Sequence, residues 1–356
     1  MIALTEGKGS LVELDERRDV IVIAASAGGV EALRRLVGLL PADLKAAVFV
    51  VMHISPSGGS VLPKILDRLG TIPAAHAVDS QPVEPGRIYV APPDRHLLIQ
   101  EGQVRLGHGP RQNGHRPSAD ALFRSAALAY GPRVIALVLS GTLDDGASGA
   151  QAVAQRGGVV AVQDPEEATY PGMPNSVISA TGTKLILPVD QLAKLITRLV
   201  AEEAGDPFDK PDADLVVGNE LMLLDEDLED ERQGVSEPSE FVCPDCGGTL
   251  YHTKSPQLGP FRCRIGHAWS PGALLAQQSQ AVENALWAAL RTLQERADLS
   301  RRLAEPARKR GHLVSADMFD AAAAEADRAA VSIRAVLNRR NRGFSAVQTD
   351  EVHVAR

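Results

Sequence analysis

The sequence predicts an α/β protein: a doubly wound, mostly parallel sheet with helices on both faces, followed by a small cysteine-bearing module and a C-terminal helical hairpin. Three observations predict it. Continuous apolar runs over residues 20–23, 46–52 and 134–139 are short, bounded by small or turn-forming residues, and rich in valine and isoleucine, the mark of strands covered on both faces. Stretches with apolar residues at helical spacing alternate with these runs. Late in the chain the pattern changes to three closely spaced cysteines and then to a long helix-forming stretch.

Residues 1–18 are polar and read as a disordered lead. The first strand follows and ends at Ser26, where Gly28 and Gly29 turn the chain into a helix carrying Val30, Leu33, Leu36, Val37 and Leu40 on one stripe. Pro41 separates this helix from the second strand, which ends at His53. A loop rich in serine, glycine and proline leads to a short helix over 61–69. Residues 76–106 read as shorter, more polar strands with tight turns, expected as an antiparallel appendage to the sheet. A helix over 119–130 is ended by Gly131 and Pro132. The third strand runs into Ser140-Gly141-Thr142-Leu143-Asp144-Asp145-Gly146, followed by a helix over 147–156, a fourth strand over 157–162 and a closing helix over 189–204. The expected domain spans 19–204, with right-handed crossovers covering both faces.

Composition narrows the function classes. Hydrophobic residues make up 44% of the 356, enough for a large core, but aromatics only 4%, so aliphatic side chains must fill it. A net charge of −8 argues against a general nucleic-acid binder. No apolar run approaches the length of a membrane span, and the first eighteen residues hold no signal-peptide core, so the expected location is cytoplasmic. Three clustered cysteines fit no disulfide framework. Between 202 and 240 fifteen acids face two bases, which reads as a solvated acidic linker over 205–240 with one apolar island at 215–224.

Three buried strands end in Ser26, His53 and Asp145, and the carboxyl ends of parallel strands share one rim. That rim thus carries a hydroxyl, an imidazole and a carboxylate, the parts of nucleophilic catalysis. Serine is a poor nucleophile without a base, histidine titrates near neutrality, and a carboxylate fixes the imidazole tautomer and stabilises the imidazolium. Ala24-Ala25-Ser26-Ala27-Gly28 is an imperfect form of the G-x-S-x-G elbow. Taken singly, each residue has a structural explanation: a strand-closing histidine, or an Asp144 or Asp145 capping the next helix.

Residues 19–199 resemble the catalytic domain of the chemotaxis protein-glutamate methylesterases, the CheB family. The resemblance rests on Ala25-Ser26-Ala27-Gly28-Gly29, Val51-Met52-His53, Ala91-Pro92-Pro93-Asp94-Arg95-His96, Arg116-Pro117-Ser118-Ala119-Asp120, Leu139-Ser140-Gly141-Thr142-Leu143-Asp144-Asp145-Gly146, Gln163-Asp164-Pro165 and Tyr170-Pro171-Gly172-Met173-Pro174. It implies a doubly wound fold and hydrolysis of glutamate methyl esters on methyl-accepting chemoreceptors with release of methanol; some members also deamidate receptor glutamines. It implies Ser26 as nucleophile, His53 as base and Asp145, which directly precedes the glycine, as third member. Where the family commonly has a methionine-glycine pair whose amide helps hold the oxyanion, this chain has Thr142-Leu143. The lead before the first strand is too short for the receiver domain that usually controls such enzymes, so control by phosphorylation is not expected.

Cys243-Pro244-Asp245-Cys246 and Cys263-Arg264-Ile265-Gly266-His267 have the C-x₂-C and C-x₃-H spacing of a tetrahedral Cys₃His zinc site. His252 is the fallback fourth ligand. Four protein ligands leave no open position, so the zinc is structural and the 241–270 module a zinc ribbon; catalysis needs no cofactor. Residues 271–342 read as two helices broken around 306–311, with a tail over 343–356. Their apolar stripe suits either pairing with a second copy or packing on the large domain. The leading function is a cytoplasmic methylesterase acting on a methylated chemoreceptor or related signalling protein, with no nucleic acid and no membrane insertion; the alternative is a signalling adaptor in which hydrolase fold and ribbon bind partners.

Overall fold

The computed structural model describes residues 17–54, 59–205, 216, 219, 222, 235–253 and 260–350. Most of the expected lead and most of the acidic linker lie outside the described residues. The described residues fall into two compact units, one up to Leu274 and one from Leu275 on.

The first unit is built on a seven-stranded parallel sheet. Its strands are β1 (Val20–Ala25), β2 (Ala47–Met52), β3 (Ala74–His76), β4 (Arg87–Val90), β7 (Val134–Val138), β8 (Val159–Gln163) and β9 (Ile186–Leu187). They lie in the order β3-β4-β2-β1-β7-β8-β9. The chain passes from β1 to β2, on to the edge strand β3 and back to β4 between them, then crosses to β1's other side and winds outward through β7, β8 and β9. The switch point lies between β1 and β7, where this architecture opens a crevice at the carboxyl ends of the strands.

Every residue of β1, β2 and β7 is buried, as their continuous apolar runs require. Alternation divides each strand between two cores. Ile21, Ile23, Val48 and Val50 pack beneath α1 (Gly29–Gly38), α2 (Leu62–Leu69) and α6 (Val189–Ala201). Val20, Val22, Phe49 and Val51 pack beneath α3 (Ala119–Tyr130), α4 (Ala147–Gln155) and α5 (Gly172–Thr181). Among the described residues no helix is long and apolar enough to cross a membrane.

The expected antiparallel appendage is smaller than the sequence indicated. Only β5 (His96–Gln100) and β6 (Gln103–Gly107) form an antiparallel hairpin, while β3 and β4 extend the parallel sheet. Strand β3 is the edge of the sheet and β4 lies just inside it, so their shortness reflects a place near the sheet margin, not a different sheet. From the linker's apolar island, Met222 is buried against Leu98 and Ala121, and its carbonyl accepts the Gly109 amide at 3.0 Å.

The cysteine module is a four-stranded antiparallel sheet of β10 (Val235–Val242), β11 (Thr249–Thr253), β12 (Phe261–Cys263) and β13 (Ala268–Trp269). It begins ahead of the expected start at residue 241, because β10 pairs along the length of β11.

Helix α7 (Pro271–Lys309) begins in the first unit with its first four residues, and from residue 275 on it forms an antiparallel pair with α8 (Leu313–Asp350) in the second. Leu290 packs with Ala330 and Leu337, and Arg301–Asp327 and Arg308–Asp320 bridge the helices nearer the turn. The break falls after Lys309, where Gly311 takes a φ of +78°. Pro306, expected to break the helix, lies inside α7, in an exposed turn whose freed Arg302 carbonyl can meet solvent. Helix α8 also runs through residues expected to be tail.

Candidate active site

Ser26 directly follows β1, and His53 directly follows β2. Parallel pairing sets Ala25 beside Met52, and the His53 amide donates to the Ala25 carbonyl at 3.2 Å, so serine and histidine occupy neighbouring strand ends. On the other side of β1, the Ser26 amide donates to the Ser140 carbonyl at 2.9 Å. The turn after Ser26 is tightly built. Gly28 takes a φ of +72°, and a Cβ on it would lie 2.7 Å from Ser140 Oγ, so both conformation and space require glycine. Ser140 Oγ donates to the Ala27 carbonyl at 2.8 Å and accepts the Tyr170 amide at 3.0 Å, which ties the turn to the β8–α5 loop.

Gly141 has the least room. A Cβ there would lie 2.1 Å from the Met173 sulfur and 2.9 Å from Ser26 Cβ. Gly141→Ala is expected to destabilise the domain by about 1–3 kcal/mol, by the usual cost of overpacking. A denaturant midpoint unchanged from the parent would refute this.

His53 Nε2 lies 2.7 Å from Asp145 Oδ2. A carboxylate accepts, so Nε2 carries the hydrogen and Nδ1 holds the free lone pair. Nδ1 is buried and has no hydrogen-bond partner, and no hydrogen bond joins the Ser26 hydroxyl to His53. Such bonds often tighten only when substrate binds. Asp144 makes no bond to His53; its Oδ1 accepts the Ser270 hydroxyl at 2.8 Å.

The environment of Asp145 could not be read from strand ends. Its carboxylate sits at the N-terminus of α3, accepting Ser118 Oγ at 2.8 Å, the Ala119 amide at 2.7 Å and the Asp120 amide at 3.3 Å. Burial alone would raise this carboxyl. The hydrogen bond and charge of His53 and the helix amide outweigh burial and hold it well below the usual carboxylate range. Asp120 moves the other way, pushed up to about 7 by burial first and then by the charge of Asp145, against the opposing charge of Arg124. Burial and the paired charge thus push the two neighbouring carboxylates in opposite directions.

His115 was also missed. Its ring lies parallel to that of His53, with centroids 3.7 Å apart and 6° between planes. Burial, helped by the charge of His53, lowers it to about 4, so it stacks as a neutral ring at neutral pH. The Arg116-Pro117-Ser118-Ala119-Asp120 motif was visible in the sequence, but its task was not: it bounds the loop and helix start that grip Asp145. In the turn after Thr142, Leu143 holds a φ of +63°, a conformation that glycine adopts freely. The amides of Ala27, Gly28, Thr142 and Leu143 find no backbone acceptor among the described residues.

The ligand atoms of Cys243, Cys246, Cys263 and His267 all lie within 4.8 Å of one another, a group able to hold a metal ion. Cys246 Sγ is 3.7 Å from Cys263 Sγ, and Cys263 Sγ is 3.5 Å from His267 Nδ1. A tetrahedron with arms of about 2.3 Å to sulfur and about 2.05 Å to nitrogen has edges of about 3.8 and 3.6 Å, so the donor set fits zinc. His252 lies elsewhere, its ring centroid 5.2 Å from that of Phe261.

Fold and rim together define a parallel α/β domain whose site lies at the switch point. Its sequence matches the CheB methylesterase family model over residues 21–196. A Leptospira interrogans protein, a putative protein-glutamate methylesterase/protein-glutamine glutaminase, is 35% identical over 182 residues, which cover 51% of this chain and 94% of that one. The chain belongs to the CheB methylesterase family. A Methanosarcina mazei protein-glutamate methylesterase/protein-glutamine glutaminase is 38% identical over 201 residues, 54% of this chain and 55% of its own. The chain thus spans about half the length of such longer relatives. The Thermotoga maritima CheB methylesterase catalytic domain, solved by crystallography, aligns over 51% of this chain and 98% of its own at 33% identity and a TM-score of 0.49.

Proposed function

We propose that this protein is a serine hydrolase that removes methyl esters from glutamate side chains of methylated chemoreceptors, acting in the cytoplasm. The observation that carries the reading is the 2.7 Å contact of His53 with Asp145, beside Ser26 on the adjacent strand end. In this mechanism Ser26 Oγ attacks the ester carbonyl while His53 Nδ1 takes its proton, and Asp145 stabilises the imidazolium through Nε2–H. Free amides at the start of α1 and in the 142–143 turn supply the oxyanion donors. His53 returns the proton to the departing methoxide, which leaves as methanol. Water, deprotonated by the same Nδ1, then attacks the acyl-enzyme; the bond to Ser26 Oγ breaks, His53 returns the proton to that oxygen, and a glutamate carboxylate leaves.

The relatives' double name supports a second reaction at the same site, glutamine deamidation, in which ammonia leaves in place of methanol. The Cys₃His group is proposed to hold one structural zinc, its donor spacing being the support.

The test is methanol release from receptor-bearing membranes whose glutamates carry labelled methyl groups, run beside labelling with a fluorophosphonate probe. Release together with labelling is expected. Labelling without release would move the substrate to another ester or amide. Neither would favour an adaptor in which the fold only binds partners.

A further inference from the structure

The cysteine module is docked against the two loops that hold the candidate site. Strand β13 runs beside residues 111–113: the Asn113 amide donates to the Ala268 carbonyl at 2.8 Å, and the Ala268 amide to the Arg111 carbonyl at 3.3 Å. The Ser270 amide donates to Asn113 Oδ1 at 2.8 Å. The buried Trp269 ring lies against Gly114, where an added Cβ would approach it to 3.3 Å. The next residue is His115, which stacks on His53. One arm of the docking therefore ends on the imidazole.

The other arm ends beside the carboxylate. Ser270 precedes Pro271, the first residue of α7, and its Oγ accepts the Ala273 amide at 2.9 Å, an N-cap arrangement with proline at the first helical position. The same hydroxyl donates to Asp144 Oδ1 at 2.8 Å. Asp144 Oδ2 lies 3.4 Å from where a Cβ on Gly272 would stand, so this carboxylate faces the amide end of α7. Asp144 adjoins Asp145 in a loop that bends through Leu143 at φ +63° and Gly146 at φ +97°. The loop's feet are tied within the α/β domain, Gly141 to Tyr170 and Gly146 to Asp120. Its Asp144 side chain is instead tied to Ser270.

We infer that β13 and Ser270 of the cysteine module position the active site, Ser270 through Asp144 and β13 through the 111–115 loop, so that metal held by Cys243, Cys246, Cys263 and His267 governs turnover. The inference rests on the hydrolase reading above. Ser270 is a positioning residue; it touches neither substrate nor Asp145. Because β12 joins Cys263 to β13, and His267 immediately precedes β13, loss of the metal releases both arms at once.

The experiment compares the full chain, Ser270→Ala, Ser270→Thr, Asp144→Ala and the Ser270→Ala/Asp144→Ala double variant, with the parent also treated with a zinc chelator. Four quantities are read: kcat and KM for the methylated receptor, metal per chain, and the downfield proton resonance of His53 Nε2–H. Ser270→Ala should keep its metal, lower kcat about 10- to 100-fold at unchanged KM, as small misplacements do, and shift the His53 resonance. Ser270→Thr, which keeps the hydroxyl, should restore both. The double variant should be no worse than either single, since both remove one interaction. Chelation should reproduce the resonance shift. A metal-loaded Ser270→Ala with parental kcat and an unmoved resonance would overturn the inference, as would additive losses in the double variant. If the parent releases no methanol, the resonance still decides: a shift on Ser270→Ala keeps the positioning role while the ester reading falls.

Discussion

Ser26→Ala is expected to abolish methanol release, with a loss of about 10⁶-fold in kcat, and Asp145→Asn to cost about 10⁴-fold. These are the scales on which nucleophile and carboxylate act in other serine hydrolases. The two losses differ in mechanism. Without Ser26 no acyl-enzyme forms, and only water in an oxyanion-stabilising site remains. With asparagine at 145, Ser26 is intact, but the residue offered to His53 Nε2 is an amide, which can present its own hydrogens. Nδ1 then no longer emerges reliably as the free lone pair, and an imidazolium formed there lacks a counter-charge. Asp145 is also the residue that accepts Ser118 Oγ and the Ala119 amide, so asparagine disturbs the start of α3 as well. Probe labelling separates the cases: Ser26→Ala should not label at all, whereas Asp145→Asn should label slowly to completion. Asp144→Asn, which keeps an acceptor oxygen for Ser270, should fall within about tenfold of the parent, on the scale of one surviving neutral hydrogen bond. Equal losses for Asp144→Asn and Asp145→Asn would dissolve the distinction between the two carboxylates.

The parts of this site legible in the sequence are those set by strand ends. Apolar runs locate β1, β2 and β7, and parallel order carries Ser26, His53 and the 140–146 loop to one rim without knowledge of any side-chain contact. What was not legible is whatever depends on contacts across space. Ser118 meets Asp145 from 27 positions away, and nothing in its local pattern separates it from an ordinary helix N-cap. His115 lies in a polar stretch whose local pattern names no role, and its partner is a ring 3.7 Å off on another strand end. Strand β4, expected within an antiparallel appendage, joins the parallel sheet instead; a four-residue strand carries too few positions to show a period. Helix α5, with Gly172 and Pro174 in its first turn, was concealed by residues that usually mark loops. The module's docking was invisible for a related reason: β13 is two residues long, and its neighbour in space is residue 112.

Removing the metal is expected to unfold the cysteine module while the α/β domain stays folded. The module's apolar core consists of Cys243, Leu250, Phe261, Cys263, Trp269, Ala273 and Leu274, with Phe241 partly buried beside it. Two of those core residues, Cys243 and Cys263, belong to the group able to hold a metal. Segments of about forty residues rarely stabilise themselves by burial alone, and structural zinc in comparable small sites contributes about 10–16 kcal/mol of apparent binding energy at neutral pH. Pure protein should therefore carry close to one zinc per chain, and Cys263→Ser should lose it, since one substitution removes both a ligand and a buried core contact. His252→Ala should retain it, because His252 packs on Phe261 outside the donor group. Limited proteolysis of the chelated protein should open cleavage within 243–270 and leave the 20–201 region protected, its two cores being complete without the module. Metal-free protein as resistant in 243–270 as the parent would remove the metal from the account of the module's stability. The unequal response of the two regions matters for function. Ser26, His53 and Asp145 lie wholly in the region that survives, so chelation should leave the serine able to react with a fluorophosphonate while slowing it. A module whose folding depends on metal would then act on chemistry it does not perform, through a hydroxyl and a backbone strand.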